Sequence, residues 1–419
     1  MNIKILLATG LFLSSASLSA QNRNVAYAIT GDGNKDFMWM NIRQVDLSTG
    51  KITKTIFERS KTNYTLTDVV TKTSVNQSSI TDGNIFSTKN YPTSTYVAAA
   101  AYDGRSNKLF FTPMRMGELR WLDLSDKSET PKFYTMESPV LNTGESVDEA
   151  KHITRMVIAA DGFGYALTND GNHLFRFTTG KTPVITDLGN LIDAEENKGV
   201  SVHNKCTSWG GDMLGDAFGN LYIISANRNV FIVNVKTRIT TFKGFISGLP
   251  ALYTTNGAAV DKDGDIIVTS ANFFEGYYKV KFSDLTATKM MDSDHKYNAS
   301  DLACGTLLLE KERAASNKFD MSDSRAPIAT FVEGEAKVFP NPVLTSVFNV
   351  RLAGLSEGRY TINFTDVAGQ VLQTKTVNLI KGKQVEQVNI RNRPVRGIYM
   401  VRVIDTKNQT VITEKIILD

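Results

Sequence analysis

The sequence predicts an all-β chain, a five- or six-bladed β-propeller followed by a small antiparallel β-sandwich. Three observations carry this. A strand–turn–strand unit recurs through the middle of the chain, and its first turn begins at Asp103, Asp161, Asp216 and Asp261, a period of 45 to 58 residues. A supersecondary unit repeating at that scale, with about four strands each, is the signature of a propeller. Beyond residue 337 the texture changes to period-two alternation of apolar and polar residues with turn signals roughly every ten, the pattern of a small sandwich.

The chain opens with MNIKILLATGLFLSSASLSAQ: an early lysine, an apolar run from Ile5 to Leu13, then small residues ending Leu18-Ser19-Ala20. This is the order of a secretory signal peptide over residues 1–20, cleaved between Ala20 and Gln21. The run is too short to cross a bilayer, which takes about 20 apolar residues, and no later segment of the mature chain reads as transmembrane. Hydrophobic content of 42% and charged content of 21% are those of a globular protein. A net charge of +4, from 47 basic against 43 acidic side chains, gives no reason to expect nucleic acid as a partner. Export permits Cys206 and Cys304 to pair, but both flank apolar strand-like stretches, which suits buried free thiols as well. No Cys/His spacing suggests zinc.

The propeller is expected over residues 21–317. In MVIAADGFGYALTNDGNHLFRF, MLGDAFGNLYIISANRNVFIVNV and AAVDKDGDIIVTSANFFEGYYKVKF, an apolar strand reaches Asp-x-x-Gly and two more strands follow. Asp161, Asp216 and Asp261 have the short side chain that accepts backbone N–H bonds in a turn. Gly164, Gly219 and Gly264 supply residues that tolerate positive φ, so that the next strand folds back. The ends are complementary. YNASDLACGTLLLE (297–310) reads as an inner strand with no blade after it, and NVAYAIT, FMWMNIRQVDLSTG and KITKTIF read as outer strands without an inner one. Joined, they make one composite blade and remove two sheet edges. Counting it gives five; residues 58–94, with TDGNIFST, hold either a sixth or a long insertion. These units resemble the NHL and gluconolactonase-like propellers, a resemblance of architecture.

Candidate chemistry is sparse. GDGNKDF (31–37) and DKDGD (261–265) place oxygens at alternate positions, as calcium loops do, without the glycine and glutamate that complete an EF-hand. The repeat already explains DKDGD as a turn. The gluconolactonase-like resemblance implies a divalent metal held at the openings of inner strands, and Asp212, Asn256 and Asp301 occupy such positions here; the alternative is that they cap those strands. His152, His173, His203 and His295 are scattered, and no G-x-S-x-G elbow exists. Trp39, Trp121, Trp209 and NFFEGYY (272–278) offer either a ligand platform or packing between blades.

Residues 318–336, polar and punctuated by Pro and Gly, read as a linker. The domain that follows resembles the C-terminal sorting domain of the type IX secretion system and its Ig-like sandwich. The matching residues are Phe339-Pro340-Asn341-Pro342, Gly358 and Tyr360, Asp366 to Gly369, Gly397 and Tyr399, and the terminal Lys415-Ile416-Ile417-Leu418. The resemblance implies passage through the periplasm and outer membrane with the type IX machinery, removal of the domain by a sortase-like surface peptidase, and attachment of many cargoes to anionic lipopolysaccharide. The sequence thus points to a cell-surface or secreted propeller that binds a glycan, peptide or host protein. The alternatives are a divalent-metal-dependent lactonase-like hydrolase and a structural component of the cell envelope.

Overall fold

The computed structural model describes residues 24–33, 36–77, 89–142, 147–290, 297–314, 338, 339, 341, 343, 347–352, 355–366, 369–379, 384–390, 396–407 and 409–418. The expected signal-peptide cleavage site, the expected linker 318–336 and TDGNIFST lie outside them. The chain divides into two compact units, 1–319 and 320–419.

In the first unit, β1 (Val25–Thr30), β2 (Asn41–Asp46) and β3 (Lys51–Phe57) form an antiparallel meander. The next blade is the largest. Its meander runs through β6 (Val97–Asp103), β7 (Lys108–Pro113), β8 (Glu118–Asp123) and β9 (Lys132–Glu137), and the earlier strands β4 (Tyr64–Asp68) and β5 (Ser74–Gln77) add to its outer edge, β4 parallel to β9. Within residues 58–94, β4 and β5 therefore contribute outer strands to a neighbouring blade, and the described residues form five blades. The third blade is β10 (Ile153–Ile158), β11 (Gly164–Thr168), β12 (Leu174–Phe177) and β13 (Ile185–Asp187). In the fourth, a short β14 (Ile192–Asp193) flanks a meander of β15 (Asp212–Gly215), β16 (Asn220–Ile224), β17 (Asn229–Asn234) and β18 (Ile239–Phe245). The fifth is β19 (Gly257–Val260), β20 (Ile266–Thr269), β21 (Tyr278–Lys281) and β22 (Thr286–Lys289).

The ring then closes as the two complementary ends require. β23 (Ala299–Cys304) pairs with the free side of β1, Ala26 opposite Cys304 and Ile29 opposite Asp301. The inner strands β23, β6, β10, β15 and β19 pack in that order around one axis and return to β23.

Five apolar clusters fill the five spaces between successive blades. Each middle strand is buried on both faces, which is why β7, β11 and β20 read as unbroken apolar runs instead of alternating. Trp121, stacked on Tyr134 at 5.5 Å, belongs to this packing, and so does Trp39 in part.

In the second unit, β24 (Val338–Phe339), β25 (Val347–Leu352) and β28 (Gln384–Asn389) face a sheet ordered β27 (Val371–Leu379), β26 (Gly358–Asp366), β29 (Gly397–Ile404), β30 (Thr410–Leu418). One core, including Phe348, Val350, Phe364, Val401 and Ile416, lies between them. Alternation along β30, with Ile412, Ile416 and Leu418 inward, is what period two requires of a sandwich strand.

Blade-to-blade packing sets the stability of the ring. Phe110 is fully buried, 5.7 Å from Trp121 in its own blade and 5.5 Å from Phe177 in the next. Phe110→Ala should cost about 3–5 kcal/mol, read as a lowered urea midpoint of the intact chain.

Candidate functional site

Each inner strand pairs on one side only, so five rows of backbone N–H and C=O groups face the axis without a partner strand, and buried groups of that kind need side chains. Asp212 meets part of this need. Its Oδ1 accepts from Met213 N at 2.7 Å, and its Oδ2 from Ala258 N of β19 at 2.6 Å and Leu302 N of β23 at 3.4 Å. One carboxyl thereby ties the fourth, fifth and composite blades. Ser300 donates to Val97 O of β6 at 2.6 Å.

Asp301 is equally buried and lies against Asp212, with the backbone amide of Ala100 beside its carboxyl. Two carboxyls this close and this buried favour a protonated form over a doubly charged one. Burial pushes Asp212 up to about 8, against the pull of its three backbone amides. Burial first, and then the Asp212 charge, push Asp301 well above the usual carboxylate range.

Of the three candidate metal ligands, Asp212 and Asp301 are thus together. Asn256 is engaged in its own blade, its Oδ1 accepting from Ala271 N at 3.1 Å. No cluster of three or more His, Cys, Asp or Glu side chains suited to a metal occurs among the described residues.

The aspartate turns serve the backbone. Asp216 accepts from Phe218 N and Asn220 N at 2.8 and 2.9 Å, and Asp261 from Asp263 N and Asp265 N at 2.8 and 3.0 Å. Asp161 accepts from Phe163 N at 3.0 Å. Gly219 and Gly264 have φ of +93° and +92°. Gly164 differs from expectation. The turn here starts two residues earlier, at Ala159, so the positive φ falls on Gly162 (+86°). Gly164 opens β11, where an added Cβ would run into the Phe177 ring.

Both calcium-like loops carry their own cation. Lys279 Nζ lies 2.8, 3.8 and 3.3 Å from carboxylate oxygens of Asp261, Asp263 and Asp265. The Arg59 guanidinium bridges Asp32 and Asp36.

The face from which the inner strands enter is held by arginines whose importance the sequence hid. Arg120 donates to Lys89 O and Pro92 O before β6, at 2.9 and 2.8 Å, while paired with Glu118. Arg155, fully buried, donates to Ser208 O and to Gly210 O (3.0 Å) before β15. Arg228 donates to Ala251 O and Tyr253 O before β19, at 2.9 and 3.1 Å. Arg43 covers the Tyr297 ring before β23 at 4.2 Å and donates to Gly31 O at 2.8 Å. An arginine inside an apolar strand, as in ELRWLD and ITRMVI, was the available signal. On the same face, the half-exposed Phe37 ring lies 5.8 Å from Phe274.

Of the histidines, His203 faces two carbonyls and His173 an aspartate, and His295 lies outside the described residues. Cys206 and Cys304 are free thiols, and burial pushes the latter to about 11.

In the sandwich unit the motif residues have separate structural tasks. Phe339 pairs with Asn349 in β24–β25; Pro340 and Pro342 lie outside the described residues. Asn341 Nδ2 donates to Lys415 O at 2.8 Å, and Ile417 N donates to Asn341 Oδ1 at 3.0 Å. Val343 N then donates to Ile417 O at 2.7 Å, a parallel bridge to β30. The chain thus pairs with one sheet at Val338 and Phe339 and with the other from Asn341. Gly358 and Gly397 open β26 and β29. Tyr360 donates to Ser356 O at 2.8 Å, and Tyr399 packs 5.1 Å from Phe364. Asp366 takes Gln370 N at 2.9 Å, and its carbonyl takes Gly369 N at 3.1 Å.

Residues 337–419 match the secretion system C-terminal sorting domain family. No curated protein matches the chain. Among solved structures, PorZ, described as an essential surface component of the type IX secretion system of Porphyromonas gingivalis, is 13% identical with a TM-score of 0.33. That match covers 94% of this chain, which spans about half (51%) of the other. A virginiamycin B lyase from Staphylococcus aureus is 11% identical (TM-score 0.32; 66% of this chain, 72% of the other). A putative 6-phosphogluconolactonase from Bacteroides uniformis is also 11% identical (TM-score 0.34; 88% and 100%). Likenesses this distant say nothing of activity. The last 83 residues are a type IX sorting domain, and the chain is exported to the cell surface or secreted. No helix among the described residues is long and apolar enough to cross a membrane.

The raised carboxyls have a measurable consequence. A carboxyl raised by folding contributes stability that is complete below its unfolded value, 3.8 for aspartate, and is lost as pH rises toward about 8. Melts of the intact chain should lose up to about 1.4 kcal/mol per pH unit over that window from this pair. Asp301→Asn, whose amide supplies the donor in place of the proton, should flatten the slope.

Proposed function

We propose that this chain is a surface-delivered binding propeller whose ligand, a glycan, peptide or host protein, docks on the face where the inner strands enter. The observation that carries the reading is the set of arginines that fix the entry loops. A loop held by buried guanidinium–carbonyl bonds has little freedom left to lose on binding, which is what a preorganised recognition surface needs. Phe37 and Phe274 supply an apolar ledge on that face. Such rings suit the C–H faces of sugars and peptide side chains. The carboxyls at the axis are fully buried and spent on backbone donors and on each other, which favours binding over hydrolysis.

Glycan and peptide arrays probed with the mature protein test this. A ligand found there should bind roughly tenfold more weakly to a Phe37→Ala/Phe274→Ala variant, about 1.4 kcal/mol. Unchanged binding would place the ligand elsewhere, and sustained turnover of lactone, ester or glycan substrates by repurified protein would replace binding with catalysis.

Delivery is tested separately. Removing Thr413–Asp419 deletes most of β30 and bares the edge of β29, leaving apolar core residues exposed. In a host with type IX secretion, the truncated chain should accumulate in the periplasm or be degraded there. Fractionation reads the outcome, and normal surface delivery would show that the address lies elsewhere.

A further inference from the structure

We propose that Asn341 is a positioning residue for sorting: its carboxamide pairs with the terminal strand as a strand residue would, and holds Lys415–Ile417 in the form the secretion machinery reads. The inference does not depend on what the propeller binds. β30 pairs with β29 through one edge. Alternation turns the N–H and C=O groups of residues 415 and 417 to the other edge, where no full strand lies among the described residues. Asn341 fills that place with one side chain. Its Nδ2 donates to Lys415 O and its Oδ1 accepts from Ile417 N, the donor–acceptor pair a peptide unit would present. Val343 N continues the ladder onto Ile417 O.

The residue type follows from the task. Serine has too little reach for both bonds, and aspartate lacks the donor for Lys415 O. What is held in place faces outward. Ile417 lies opposite Ile398 across the β29–β30 ladder, 41% and 45% exposed, on a sheet face whose central residues are Thr361, Asn363, Thr374 and Thr376. Two exposed isoleucines beside a lysine, on a face that also carries Val371, Met400 and Ile404, form a partly apolar surface at the end of the sheet. The address is thus composite: its two parts are 74 and 76 residues apart in the chain.

The test uses the full chain in a host with type IX secretion. Asn341→Ala is compared with Val388→Ala, a core substitution in the other sheet that destabilises the same domain from a strand that does not hydrogen-bond to β30. Hydrogen exchange at the Ile417 amide should accelerate roughly tenfold or more in Asn341→Ala, since both bonds are lost, and surface delivery should fall severalfold. Val388→Ala should lose at least as much thermal stability yet be delivered at the wild-type level. Wild-type delivery of Asn341→Ala, or delivery that falls with stability in both variants alike, overturns the proposal. If Asn341→Ala does not accumulate folded, Asn341→Asp decides, because it keeps the Ile417 bond and removes the Lys415 one. Intermediate delivery is expected, and wild-type delivery would overturn the role.

Discussion

A propeller buries the faces of its sheets between neighbouring blades, but it gathers five unpaired strand edges at its centre. That constraint organises much of this molecule. Backbone donors cannot be left unpaired in a buried axis, and Asp212 answers by taking N–H groups from three successive blades. The tie includes the composite blade, so the same carboxyl that satisfies the axis also helps hold the ends of the propeller together. Bringing Asp301 against it creates a second demand, since two carboxylates in so dry a place cannot both be charged. Carboxyls held above their usual range meet that demand, at the cost of stability as pH rises from 3.8 toward about 8.

The arginines solve the same problem one layer outward. Loops that enter the inner strands must carry carbonyls into partly buried ground, and a guanidinium offers five donors in a fixed fork. Arg120 and Arg155 reach carbonyls of the chain before β6 and β15, and Arg228 those before β19. The acidic loops follow a related rule. Where oxygens crowd, as at Asp261, Asp263 and Asp265, the chain supplies Lys279. Much of the polar chemistry that the described residues show at the axis and in the turns is thus spent on holding the ring.

The sorting unit obeys the edge rule in another way. Its terminal strand is an edge strand, and a single carboxamide covers the part of that edge near its end. The prolines on either side of Asn341 bring no ladder donors of their own, so the asparagine side chain, not the backbone beside it, is the group with both a donor and an acceptor to offer. A motif that opens as an unlikely strand reads sensibly as a passage from one sheet to the other.

The propeller, its composite closing blade and the sorting domain were legible in the sequence because each is written in near neighbours: Asp-x-x-Gly turns, apolar runs, period-two alternation. The turn at Asp161 shows the limit of that reading, since an Asp and a Gly three apart matched the pattern while the chain turned two residues earlier. The blade count needed the structure, because β4 and β5 join β9 through a parallel pairing that no local pattern records. The Asp212–Asp301 pair and the arginine–carbonyl bonds needed it too. Asp212 reaches amides 46 and 90 residues away, and Arg155 a carbonyl 55 away. A side chain's hydrogen-bonding partner at a buried edge is set by which strands the ring brings beside it, and that is decided only when the ring has closed.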